Sequence, residues 1–156
     1  MKVVFIVVFI LVLLFLQVGV FPHLNIAGSF PNLIVLAILG LSVLQGWKKT
    51  LPWIVAGGLF LDFYSLNNFL GISVISLFVA SYLVYVLSQN FFKEANFWSL
   101  ALTFLIGILI YQILLIVLFT IFSISFDFRI LGFIVGTIYN LIFALPIFYL
   151  IKKYVS

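Results

Sequence analysis

From Val3 to Leu16 every side chain is apolar, and from Ile113 to Phe119 the same holds, with no polar residue on any face. A segment that is apolar all round has no side to turn toward water, so it must be buried or immersed in lipid. The rest of the chain follows suit. Of 156 residues, 67% are hydrophobic and 6% charged, and the mean hydropathy is +1.49. Soluble domains carry roughly 25% charged residues. In lipid every backbone N–H and C=O must be paired inside the chain, which leaves helices or a closed barrel as spanning structures. A barrel needs apolar and polar residues to alternate in segments of about ten, and the uniform runs do not alternate. The expectation is one all-α integral membrane domain over residues 1–156, a polytopic helical bundle.

Breaks between the runs place six transmembrane helices at about 3–20, 31–45, 51–64, 72–87, 97–122 and 130–151. The first run is longer than the core of a cleaved leader, about 7–15 residues, and reads as a span. Pro31 is placed to open the second helix. Thr50 is placed to cap the third, which starts at Leu51 and Pro52 after a turn at 46–50 whose Trp47 suits a membrane interface. Helices two to four read as short for a bilayer, the second being about 22 Å long at 1.5 Å per residue. On this count Lys2, Lys48, Lys49, Lys93, Lys152 and Lys153 share one side and Arg129 alone lies on the other. Lysine-rich loops stay in the cytoplasm, so both termini are expected there. The net charge of +4 therefore reads as a topology signal and not as a nucleic-acid surface.

Few residues invite a chemical reading. The chain has no cysteine, which removes disulfides, thiolate metal sites and cysteine nucleophiles together. The single His23 has no carboxylate or thiol near it in sequence, and no serine is spaced with a base. No enzyme activity, cofactor or metal is expected. Asp62 is the one acid inside an apolar run. Three roles stay open for it: a buried contact that fixes helix packing, a water-facing group near the outer surface, or a proton or cation site. If packing is its role, an amide at 62 is expected to serve nearly as well, since it still forms hydrogen bonds. Gly57 and Gly58 next to it, and the pair Gly132 and Gly136, are spaced to let another helix approach closely. Asn140, and likewise Gln112, is expected to form an interhelical hydrogen bond, because its amide finds no partner in lipid. Pro146 is expected to break one backbone hydrogen bond of the sixth helix.

Taken in order, Phe30-Pro31-Asn32-Leu33, Ala56-Gly57-Gly58-Leu59-Phe60-Leu61-Asp62, Gly71, and Tyr139-Asn140-Leu141 followed by Pro146 near a basic end form a pattern. It resembles the bacterial rod shape-determining MreD family over nearly the whole chain, though arginines are fewer here than in richer members. The resemblance implies a non-enzymatic inner-membrane scaffold of the cell-elongation machinery. Such a protein pairs with the single-span protein MreC, supports lateral peptidoglycan synthesis, and acts indirectly with the synthases and the cytoskeletal filament. It also implies a fold similar to the substrate-capture subunits of energy-coupling-factor transporters. The positions that match the family's characteristic residues are Pro31, Asn32, Gly57, Gly58, Asp62 and Asn140. A vitamin-capturing subunit of such a transporter is the alternative. It shares size and helix count but calls for several polar and aromatic residues in the outer loops, where this chain offers His23, Asn25, Asn67 and Asn68. A proton carrier built on Asp62 lacks the paired ionisable groups of a relay.

The lysine asymmetry makes a prediction that the absence of cysteine renders easy to test. Single cysteines beside His23, Asn67 and Asp127 should react with an impermeant thiol reagent in intact cells, and those beside Lys48 and Lys93 should not. Labelling next to Lys48 would overturn the topology.

Overall fold

The computed structural model describes residues 2–65, 69–90, 96–125 and 128–155, the first two by backbone alone. Among these residues the chain forms six α-helices: α1 (Lys2–Gly19), α2 (Leu33–Gln45), α3 (Trp47–Tyr64), α4 (Ile72–Asn90), α5 (Phe97–Ile121) and α6 (Ile130–Val155). A short 3-10 turn, Phe21–Leu24, follows α1. Asn67, Asn68, Lys93 and Asp127 lie outside the described residues.

The architecture is arranged around α2. All residues of α2 from Leu33 through Ser42 are buried, and the helix packs against α1, α3, α4, α5 and α6. A helix without a polar face is stable only when other helices surround it. Two contacts fix the direction of α6 relative to it. Asn32, just before α2, meets Asn140, and Gly40, two turns on, lies against Ile151 and Phe148. The two helices therefore run parallel. At the ends of α1, Gln17 meets the start of α2 and Phe5 stacks on Tyr154 at the end of α6, with ring centroids 4.2 Å apart. These directions bring Lys48, Lys49, Lys152 and Lys153 to one end of the bundle and Arg129 and His23 to the other.

Three helices, α4, α5 and α6, are long and apolar enough to cross a membrane. The outside of the bundle is also apolar: Phe15 is 73% exposed and Trp98 76%, amid exposed Val4, Leu11, Ile121 and Ile134. Surfaces of this kind mark a membrane protein, since soluble monomers keep their apolar patches small.

Three expectations about the helices need correction. Only α2 is short; α3 has 18 residues and α4 has 19. The third helix does not begin at Leu51. Gly46, at φ 84°, ends α2 and starts α3 by itself, leaving Trp47, Lys48 and Lys49 helical. A side chain there would strain against the backbone, so a glycine makes a one-residue turn possible. Thr50 is accordingly inside the helix, where its hydroxyl donates to the Gly46 carbonyl at 2.9 Å. Trp47 packs edge-on against Phe78 and Tyr82 of α4. Pro31 also falls outside its helix, because Asn32 takes the capping position.

Close packing depends on three glycines. A Cβ at Gly58 would stand 2.7 Å from the Val74 Cα of α4, and one at Gly57 would stand 2.6 Å from the Ile38 Cδ1 of α2. Gly107 of α5 gives the same access to Val84 of α4 and Leu39 of α2. The obstacle differs in kind: backbone at Gly58, the tip of a flexible side chain at Gly57. Gly58→Ala should therefore lower stability by about 1–3 kcal/mol, the usual cost of overpacking, and Gly57→Ala by a fraction of that. Thermal unfolding of both variants in detergent checks this, and equal losses would contradict it.

Candidate functional site

The first turn of any helix has N–H groups without intrahelical partners, and at α2 those groups are buried. Three side chains meet them, two of them from distant parts of the chain. The Asn140 Oδ1 of α6 accepts from the Asn32 N–H at 2.7 Å. The Gln17 Oε1 of α1 accepts from the Ile34 N–H at 3.1 Å, and the Asn32 Oδ1 accepts from the Val35 N–H at 3.3 Å. The amides also lock one another. Gln17 Nε2 donates to Asn32 Oδ1 at 3.1 Å, and Asn140 Nδ2 donates to the Gly136 carbonyl at 2.8 Å.

At the start of α4 the same problem is solved by a carboxylate. Asp62, near the end of α3, is 0% exposed. Its Oδ2 accepts from the Gly71 N–H at 2.7 Å and its Oδ1 from the Ser73 N–H at 2.9 Å. Gly71 adopts φ 105°, a conformation natural to glycine, which turns its N–H toward the acid. The partial positive charge of a helix N-terminus adds to the attraction. The Tyr111 side chain of α5 lies close to Ser73, so α5 comes up to the same cap.

Above α2 the chain makes a tight turn. Ile26 and Ser29 exchange backbone hydrogen bonds at 3.0 Å, with Ala27 at φ 53° and Gly28 at φ 82° between them. The turn rests on α6. A Cβ at Gly132 would lie 3.1 Å from the Ala27 carbonyl oxygen, and one at Gly136 3.5 Å from Ser29. The Ser29 hydroxyl donates to the Gly132 carbonyl at 2.7 Å. Gly132 and Gly136 thus make room for a loop. The turn at 26–29 takes most of the face expected for a helix, and α5 reaches it through Gln112, whose Nε2 would lie 3.6 Å from a Cβ at Gly136.

Between this turn, α5 and α6 lies a cavity of about 610 Å3. Its polar lining comes from Asn32, Tyr111, Gln112 and Asn140, its apolar walls include Leu115, Ile116, Phe119 and Phe133, and Arg129 also borders it. Gln112 crosses toward α6, where its Oε1 accepts from the Thr137 hydroxyl at 2.9 Å. The single Thr137 hydroxyl proton is shared between this oxygen and the Phe133 carbonyl, also at 2.9 Å.

The structure thus gathers Pro31, Asn32 and Asn140 at one helix end and Gly57, Gly58 and Asp62 along α3. Burial of Asp62 sets aside the water-facing role. The sequence reading missed Gln17, Ser29 and Tyr111. Gln17 had a signal: it is the one hydrogen-bonding side chain in residues 3–20, and its burial at 1% exposure follows from the cost of leaving an amide in lipid. Comparison with protein families, characterised proteins and solved structures returns no match.

The geometry revises what an amide at 62 can do. Asparagine has one acceptor oxygen where two N–H groups converge, so Asp62→Asn leaves one of them unpaired, at about 1–3 kcal/mol. Asp62→Leu leaves both, at up to twice that cost. Melting temperatures in detergent should fall in the order wild type, Asn, Leu; an unshifted Leu variant would show that the cap contributes nothing.

Proposed function

We propose that this chain is a six-span, non-enzymatic scaffold of the bacterial cell-elongation machinery. It sits in the inner membrane with both ends cytoplasmic and works beside an MreC-like single-span partner. The observation that carries this reading is where the resemblance residues fall. Asn32 and Asn140 build the cap of α2, with Pro31 next to it in the chain, and Gly57, Gly58, Asp62 and Gly71 build the α2–α3–α4 packing and the cap of α4. A motif set spent on architecture, with both Asp62 oxygens already engaged, suits a protein that acts by contact and not by making bonds. Six spans are supported by the helix directions, which gather Lys48, Lys49, Lys152 and Lys153 at one end. The shortness of α2, about 20 Å at 1.5 Å per residue, is no obstacle, because its neighbours rather than lipid surround it.

One observation favours a second reading, the capture of a small ligand as in energy-coupling-factor transporters. The cavity of about 610 Å3 is within the range of ligand sites, about 300–1,000 Å3. Its deeper polar groups, Tyr111, Gln112 and Asn140, come from helices, so the sparseness of the outer loops does not count against it.

Affinity purification from native membranes in mild detergent separates the two. The scaffold reading expects a single-span partner with a large extracytoplasmic part, and loss of rod shape when the chain is depleted. Recovery of an ATPase module in that partner's place would transfer support to the capture reading.

A further inference from the structure

We infer that the cavity between the 26–29 turn, α5 and α6 is a ligand site for a molecule that joins an oxygen acceptor group, such as a carbonyl, ester or carboxylate, to an apolar body. It uses the cavity on which the capture reading rests, but not the transporter assembly that reading requires. A ligand can be retained whether or not an ATPase module is recovered, so the two fail separately.

Depth in the bundle is the first constraint. Gln112 is nine residues before the end of α5 and Asn140 ten residues into α6, so both lie about 13–15 Å from the end of the bundle that carries Arg129. Polar side chains at such depth in a membrane protein face one another, a water-filled space or a ligand path. Most of them here are engaged by one another. Gln112 is half engaged: its oxygen pairs with Thr137, and its Nε2 has no acceptor among the described residues, though it borders the cavity beside Gly136. The cavity therefore presents an amide donor deep inside and asks for an acceptor there.

The walls decide what carries that acceptor. Ordered water needs two to four polar partners, whereas Leu115, Ile116, Phe119 and Phe133 between the floor and the Arg129 end offer hydrocarbon. An acceptor alone would leave those walls unfilled. An acceptor on an apolar body satisfies both, and its source is either one end of a bilayer lipid or a whole small solute.

Native mass spectrometry of the full chain tests this, first as extracted from its own membrane and then from nanodiscs of dioleoylphosphatidylglycerol. Wild type should retain a bound mass. Leu115→Trp, which fills the cavity, should abolish it. Gln112→Leu, which removes the donor but keeps the volume, should lower occupancy about tenfold. The leucine variant leaves nothing unpaired, because Thr137 keeps the Phe133 carbonyl, so it stays folded and informative even if the tryptophan does not fit. A mass that exchanges for the nanodisc lipid identifies a lipid, and a smaller mass indifferent to the nanodisc identifies a solute; both support the site. No retained mass in wild type, or one equally retained by folded Gln112→Leu, overturns it.

Discussion

A helix buried on every side has no water for the N–H groups of its first turn, and α2 is such a helix. Each buried donor left unpaired costs about 1–3 kcal/mol, and α2 is too short to offset several of them by packing alone. The partners it takes lie far away in sequence: Gln17 on α1, and Asn140 on α6, 108 residues from the N–H it receives. Meeting this one requirement fixes much else. It sets the depth of α1 against α2 and makes α6 run parallel to α2. It also draws the first and last helices together around the core, so that Phe5 can stack on Tyr154 at the far end.

The start of α4 repeats the requirement with a different answer, and the difference is physical. At α2 the donors are spread over several residues and three amides reach one each. At α4 the Gly71 and Ser73 N–H groups converge on one point, where a group with two acceptor oxygens and no donor fits best. Gly58 lets α3 come against the backbone of α4 at Val74, which puts the acid within reach. Tyr111 then stands between the two systems, close to Ser73 on one side and lining the cavity beside Asn32 and Asn140 on the other.

Much of the bundle was legible in the sequence, because helix number and type follow from runs of apolar residues broken by turn formers, and lipid leaves few alternatives. The boundary of α3 was not. Lys48, Lys49 and Thr50 read as a loop, and only the backbone of Gly46 shows that one residue makes the turn. The packing role of Gly58 was legible from its spacing to Asp62, one helical turn. That of Gly132 and Gly136 was misread, since small-residue spacing states that something approaches closely without stating what. The cavity was not legible at all. Its floor combines residues 32, 111, 112 and 140, which only tertiary packing brings together, and a reading confined to the outer loops finds only its rim.

The same geometry limits what a family resemblance can convey. The residues that carry it here are helix caps and close-packed glycines, and such residues transmit a fold; function lies in the groups grafted onto that fold. The walls of the cavity, Leu115, Ile116, Phe119 and Phe133, and the donor at Gln112 lie on α5 and α6 outside the resemblance motifs. The caps hold α2 and α4 in place however those walls are filled. Contact with a partner can therefore rest on the bundle that the caps hold in shape, while any choice of ligand rests on the facing stripes of α5 and α6, so the two can be changed separately along this chain.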